Sequence, residues 1–121
     1  MANETPSVKL LADLRERLKP LNIPIKFKLP KQDTLEPFLV IGQSSSDTSK
    51  TAQTGLIIED MSVQVDIFLP GTESRAGVEK VKSEALRRIG HNRNVNASVL
   101  LDDTVGREVY HIVIALTDTI F

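Results

Sequence analysis

Leu11, Leu14, Leu18 and Leu21 recur at intervals of three and four, the spacing of a single helical face. The helix this predicts covers residues 7–18, with Thr5 as its cap and Pro6 at the first helical position, where a missing N–H costs nothing. Arg15, Glu16, Arg17 and Lys19 fall off the leucine stripe and face water, and Pro20 ends the helix by disfavouring helical geometry at Lys19. From Ile23 the period drops to two. Ile23, Ile25, Phe27 and Leu29 alternate with Pro24, Lys26, Lys28 and Pro30, a strand with one buried face. Its prolines cannot donate to a ladder, so the strand is an edge strand or a short one. The run Pro37-Phe38-Leu39-Val40-Ile41-Gly42 reads as a short, well-buried strand.

Residues 43–54, QSSSDTSKTAQT, hold Ala52 as their only apolar side chain. Such a segment buries too little to offset the entropy of ordering it, which predicts a long mobile loop. Beyond it Val63, Val65, Ile67 and Leu69 alternate with Ser62, Gln64, Asp66 and Phe68, and Pro70-Gly71 closes the strand. A second helix is predicted over residues 74–89, with Val78, Val81, Ala85 and Ile89 on one face, Gly90 at the C-cap, and Arg87 and Arg88 favouring the helix dipole. A polar connection, residues 91–96, leads to a strand over 97–101; Asp102, Asp103 and Gly106 then turn the chain into a last strand over 108–116. In that strand Val109, His111, Val113 and Ala115 oppose Tyr110, Ile112, Ile114 and Leu116, and apolar residues on both faces suit a central position. The order α-β-β-β-α-β-β predicts one α+β domain over residues 1–121: a two-layer sandwich, its mostly antiparallel sheet of 4–5 strands carrying both helices on one face.

Composition narrows the function more than the fold. At 121 residues and 13.4 kDa the chain fits one domain, which hides roughly two-thirds of the surface its unfolded form exposes. The formal charge of −1 leaves no dominant basic footprint for duplex nucleic acid. With no cysteine, thiol catalysis, disulfide scaffolds and thiolate zinc sites are excluded. No apolar run approaches a membrane span and no basic-then-apolar leader opens the chain, so the expectation is a cytosolic or particle-assembled protein.

Candidate chemistry is sparse. His91 and His111 lack metal-ligand spacing, and His111 reads as a sheet-face histidine with a structural hydrogen bond. Asp102 and Asp103 suit a turn, without the further ligands a calcium loop needs. Gly71 and Gly77 near Arg75 do not make a phosphate loop. Arg87, Arg88, His91 and Arg93 form the one basic cluster, and no aromatic residue interleaves with it to stack on bases. Ile120 and Phe121 are an unusually apolar end, which either completes the domain's own core or inserts into a neighbouring subunit. No catalytic, cofactor or metal set emerges, so the expectation is not an enzyme.

Taken over nearly its whole length, the chain resembles the tail terminator family of long-tailed bacteriophages, also called tail completion or head-to-tail joining proteins. The resemblance is carried in order by the leading helix ending Leu18-Lys19-Pro20-Leu21, the Glu36-Pro37-Phe38-Leu39-Val40-Ile41-Gly42 segment, the polar loop, the strand Met61-Ser62-Val63-Gln64-Val65-Asp66-Ile67-Phe68, the helix over 76–89 and the apolar 110–116 core. It implies a non-catalytic virion protein, from a phage or a prophage. Its copies form a homo-oligomeric ring, generally a hexamer, which caps the viral tail tube, ends polymerisation and joins the head connector. The implied partners are further copies of the chain, the tail tube protein and the head-completion or connector protein, with DNA passing through unread and no membrane or cofactor involved. The implied location is the head–tail interface of the virion, after assembly in the host cytoplasm. Within the polar loop, Ser44, Ser45, Ser46, Asp47, Lys50 and Gln53 are the expected contacts to tube or connector, with Ile120 and Phe121 as an interface tail. The alternative is a small nucleic-acid-binding α+β module using Arg87, Arg88 and Arg93 on phosphates. A third reading is a metal-dependent enzyme around Asp102, Asp103 and His111.

Overall fold

Prolines, caps and glycines set the helices where the sequence places them. The structure, a computed structural model, describes residues 6–31, 35–47, 59–90, 94–103 and 107–120; Thr5 lies outside them. Helix α1, Pro6–Leu18, begins on its proline. A 3-10 turn, Lys19–Leu21, carries Pro20, and Asn22 follows in the left-handed conformation with its N–H donated to the Lys19 carbonyl. Helix α2, Arg75–Ile89, is capped by Ser74, whose side chain accepts a hydrogen bond from the Gly77 N–H. Gly90 ends it with φ 107°, a conformation open to glycine and strained for other residues.

Five strands form one sheet: β1 (Ile25–Lys26), β2 (Phe38–Asp47), β3 (Glu59–Pro70), β4 (Asn94–Asp102) and β5 (Val109–Ile120), in spatial order β1-β2-β3-β5-β4. Only β1 and β2 run parallel; every other neighbouring pair is antiparallel. Register stacks Leu39 on Ile67, Ile41 and Ile114 on Val65, and Ile112 on Ile67, so one sheet face is an aliphatic layer. Leu10, Leu14 and Leu18 of α1 and Val78, Ala85 and Ile89 of α2 pack onto that layer. This is the two-layer α+β sandwich, with both helices on one face. Burying each large aliphatic side chain contributes about 1.5–3 kcal/mol, and the core they form has no buried polar or charged residue among those described.

Strand ends differ from the sequence reading in several places, four of them consequential. The alternating segment 23–29 yields only the two-residue β1, and Phe27 and Leu29 are exposed rather than buried. Pro24 and Pro30 flank it without N–H donors, and past Lys26 the chain bends onto the sheet's other face, where the Phe27 carbonyl lies 4.0 Å from the position of a Cβ on Gly42. Residues 43–47, expected in the mobile loop, continue β2. Residues 94–96, expected in a polar connection, open β4. Residues 117–120, expected beyond the last strand, extend β5. In each of the last three cases a neighbouring strand is already in place, and a backbone ladder extends through polar residues because its bonds are made by the main chain.

Candidate assembly surface

The three interior strands outrun the core. Its described members at that end of the sheet are Ile41, Val63 and Leu116, and β2, β3 and β5 all continue past them. After a register shift between Gly42 and Ser45, Ser45 pairs with Ser62, Ser46 with Met61 and Asp47 with Asp60. On the opposite side of β3, Ser62 pairs with Thr117, Met61 with Asp118, Asp60 with Thr119 and Glu59 with Ile120. Strand β4 begins only at Asn94, opposite Thr117. The result is a three-stranded ribbon leading to the 48–58 connection.

Of the expected contact residues, Ser44, Ser45, Ser46 and Asp47 are therefore on β2, while Lys50 and Gln53 lie outside the described residues. Ile120 is the last residue of β5, its backbone opposite Glu59 of the same chain; Phe121 lies outside the described residues.

The basic cluster sits at the end of α2. Arg87 and Arg88 both bind the Glu84 carboxylate, Arg88 through Nε at 3.0 Å. These arginines hold the Glu84 carboxyl below the ordinary carboxylate range, the hydrogen bond from Arg88 being the largest cause. Arg17 of α1 donates to the Arg88 carbonyl at 3.4 Å, tying the two helix ends together. Arg93 lies outside the described residues. An internal acid thus opposes the charge this cluster offers to a phosphate.

The helix-free face carries a feature that sequence reading missed. His111 is hydrogen-bonded through Nε2 to Asp66 Oδ1 at 2.8 Å, a sheet-face histidine as expected, and Gln64 Nε2 donates to both Asp66 oxygens at 2.9 and 3.1 Å. The His111 ring stacks on Phe68 with centroids 4.3 Å apart, and Phe68 stacks on Phe38 at 4.9 Å. Gln64, Asp66 and Phe68 occupy alternate positions of β3, which puts all three on one side. They border a recess of about 290 Å³ between the 27–29 segment and the sheet, with Val40 and Gly42 beneath. The signal available in the sequence was the polar pair Gln64 and Asp66, which lie with Phe68 on the non-core side of β3.

Across this arrangement the acid orients the imidazole, and the aromatic stack holds its plane. Among the described residues no group of three or more histidines or carboxylates is placed to hold a metal ion, and no helix is long and apolar enough to cross a membrane. At the opposite end of the sheet Arg107 grips Glu36 with two bonds, Nε to Oε1 at 3.2 Å and Nη2 to Oε2 at 2.8 Å. That guanidinium holds the Glu36 carboxyl below the ordinary range, and fixes the start of β2 to the start of β5. No protein-family model matches the sequence, and no curated protein matches it.

Proposed function

We propose that the chain is a non-catalytic phage assembly protein of the tail terminator type. Its copies close into a ring, a hexamer on the family resemblance, that caps the tail tube, ends polymerisation and offers a surface to the head connector. The observation that supports this reading best is the ribbon of β2, β3 and β5. A paired, largely polar extension beyond the core does little for folding, yet it holds residues 43–47 in strand pairing and leads directly into the rest of the 43–54 segment. Contact loops held by a rigid scaffold are a common way to present a binding surface.

In this reading residues 43–54 meet the tube or the connector, and the ring forms through a heterologous contact, which closes when the rotation between neighbours divides a full turn. The nucleic-acid alternative draws on Arg87 and Arg88, whose shared carboxylate partner weakens it. Mixing the purified protein with tail tubes and imaging by electron microscopy tests the proposal: a ring seated on the tube end is the expected product, and tubes with bare ends at saturating protein contradict it.

A further inference from the structure

The two edges of the sheet are built differently. On one side β1 is two residues long and flanked by Pro24, Lys28 and Pro30, features that block strand addition. On the other side β4, Asn-Val-Asn-Ala-Ser-Val-Leu-Leu-Asp, is nine residues long, with no proline and no basic residue. Among the described residues no strand pairs with its outer edge. Leu100 and Leu101 are 53% and 57% exposed, one on each face.

We propose that a second copy of this chain docks on this edge, β4 against β4, antiparallel about a two-fold axis through Ser98. The sequence of β4 selects both the occupant and the register. Side chains directly opposite in an antiparallel pair share a face, so an axis through a residue keeps the helices of both copies on one side of a continuous ten-stranded sheet. With Ser98 at the centre, all nine residues pair. Val95 meets Leu101 of the second copy and Ala97 meets Val99, apolar against apolar along the helix side in both directions. Val95, Ala97 and Val99 are only partly buried in the single chain and pack on its core, so the pairing extends an existing apolar layer. The strand's one charged residue, Asp102, falls opposite Asn94, and every shift of the centre away from Ser98 leaves residues at one end of β4 unpaired.

Nine residues on each side fall short of the 20–30 of a standard interface, which implies a reversible dimer with a dissociation constant on the order of micromolar or weaker. The contact is isologous and closes at two, so it is separate from the ring contact and does not depend on it.

Sedimentation of the full chain from micromolar to millimolar concentration tests the dimer, alongside two variants. Ser98 is exposed, on the helix-free face, so Ser98→Lys sets two ammonium groups against each other at the axis without touching the core. The expected result is a concentration-dependent doubling of mass whose dissociation constant rises at least tenfold in S98K. In a chain without cysteine, Ser98→Cys places two thiols across the axis. Oxidation is expected to link S98C chains into dimers well ahead of Glu73→Cys, an exposed control off the edge. A chain that stays monomeric at millimolar concentration overturns the proposal, as do equal cross-linking rates for S98C and E73C. Larger species whose concentration dependence is unchanged in S98K also overturn it, while leaving the ring reading intact.

Discussion

Gly71 follows β3 at the point where the sheet's end meets the start of β5, and its lack of a side chain is a packing requirement. A Cβ built there lies 2.5 Å from the Glu108 carbonyl oxygen and 3.0 Å from the carbonyl carbon. Carbon–oxygen contacts between backbones settle at roughly 3.3–3.6 Å, so Gly71→Ala must push two main-chain segments apart by about 0.8 Å or more. The same two residues are joined by the Gly71 N–H to Glu108 carbonyl bond of 3.1 Å, which that displacement breaks or stretches. Overpacking of this kind costs about 1–3 kcal/mol, and the hydrogen bond adds about 1 kcal/mol. Gly77→Ala is the control. Its Cβ meets the Glu73 carboxylate, the far end of a flexible exposed side chain, and lies 3.1 Å from the capping Ser74 Oγ. Glu73 can swing away, and alanine recovers up to about 1 kcal/mol of helix propensity. Urea titration followed by far-UV circular dichroism reads both, since the chain has no tryptophan. The expected outcome is a loss of about 2–4 kcal/mol for G71A and a change between zero and a gain of about 1 kcal/mol for G77A. Equal midpoints for the two variants would refute the close approach at Gly71.

Three further outcomes follow from the same structure. Phe68 makes two ring stacks, each worth about 0.5–1.5 kcal/mol, so Phe68→Leu is expected to cost about 1–3 kcal/mol in the same urea titration, and a cost under half a kcal/mol would count against the stack. Glu36 titrates below its ordinary value in the folded chain because Arg107 binds its anion, so the stability it adds is complete above the unfolded-state pKa and lost as pH falls through the lower folded value. Glu36→Gln should therefore be less stable than the parent at pH 7, with the gap closing toward pH 3; a constant gap would contradict the pairing. Replacing residues 48–54 by a short turn should leave the core's circular dichroism and thermal midpoint within a few degrees of the parent while abolishing tube capping, and a variant that caps tubes normally would remove that segment from the contact.

Helices proved more legible than strands, for a physical reason. Pro6, Pro20, Ser74 and Gly90 are local signals, and α1 and α2 begin and end beside them. The length of a strand is decided by its neighbour. Nothing in Gln-Ser-Ser-Ser-Asp suggests a strand until β3 lies alongside it, and Asn94, Asn96 and Thr119 likewise gain their place from the strand opposite. Alternation alone misplaced Phe27 and Leu29, because period two states that two faces differ and leaves open whether the strand continues. The Asp66–His111 bond joins residues 45 apart in sequence, so it became visible only with the β3–β5 register. The Arg87–Arg88 cluster was legible as sequence, and its binding to Glu84 follows from helical spacing of three and four.

In the proposed reading, copies of the chain close into a ring around the end of a tail tube. Electron microscopy of tail tubes incubated with the protein, with class averages taken at the tube ends, tests it most directly. The expected result is a single closed ring of subunits at one end of each tube and no further growth when tube protein is added. Tubes that keep lengthening, with no added density at either end, would contradict it.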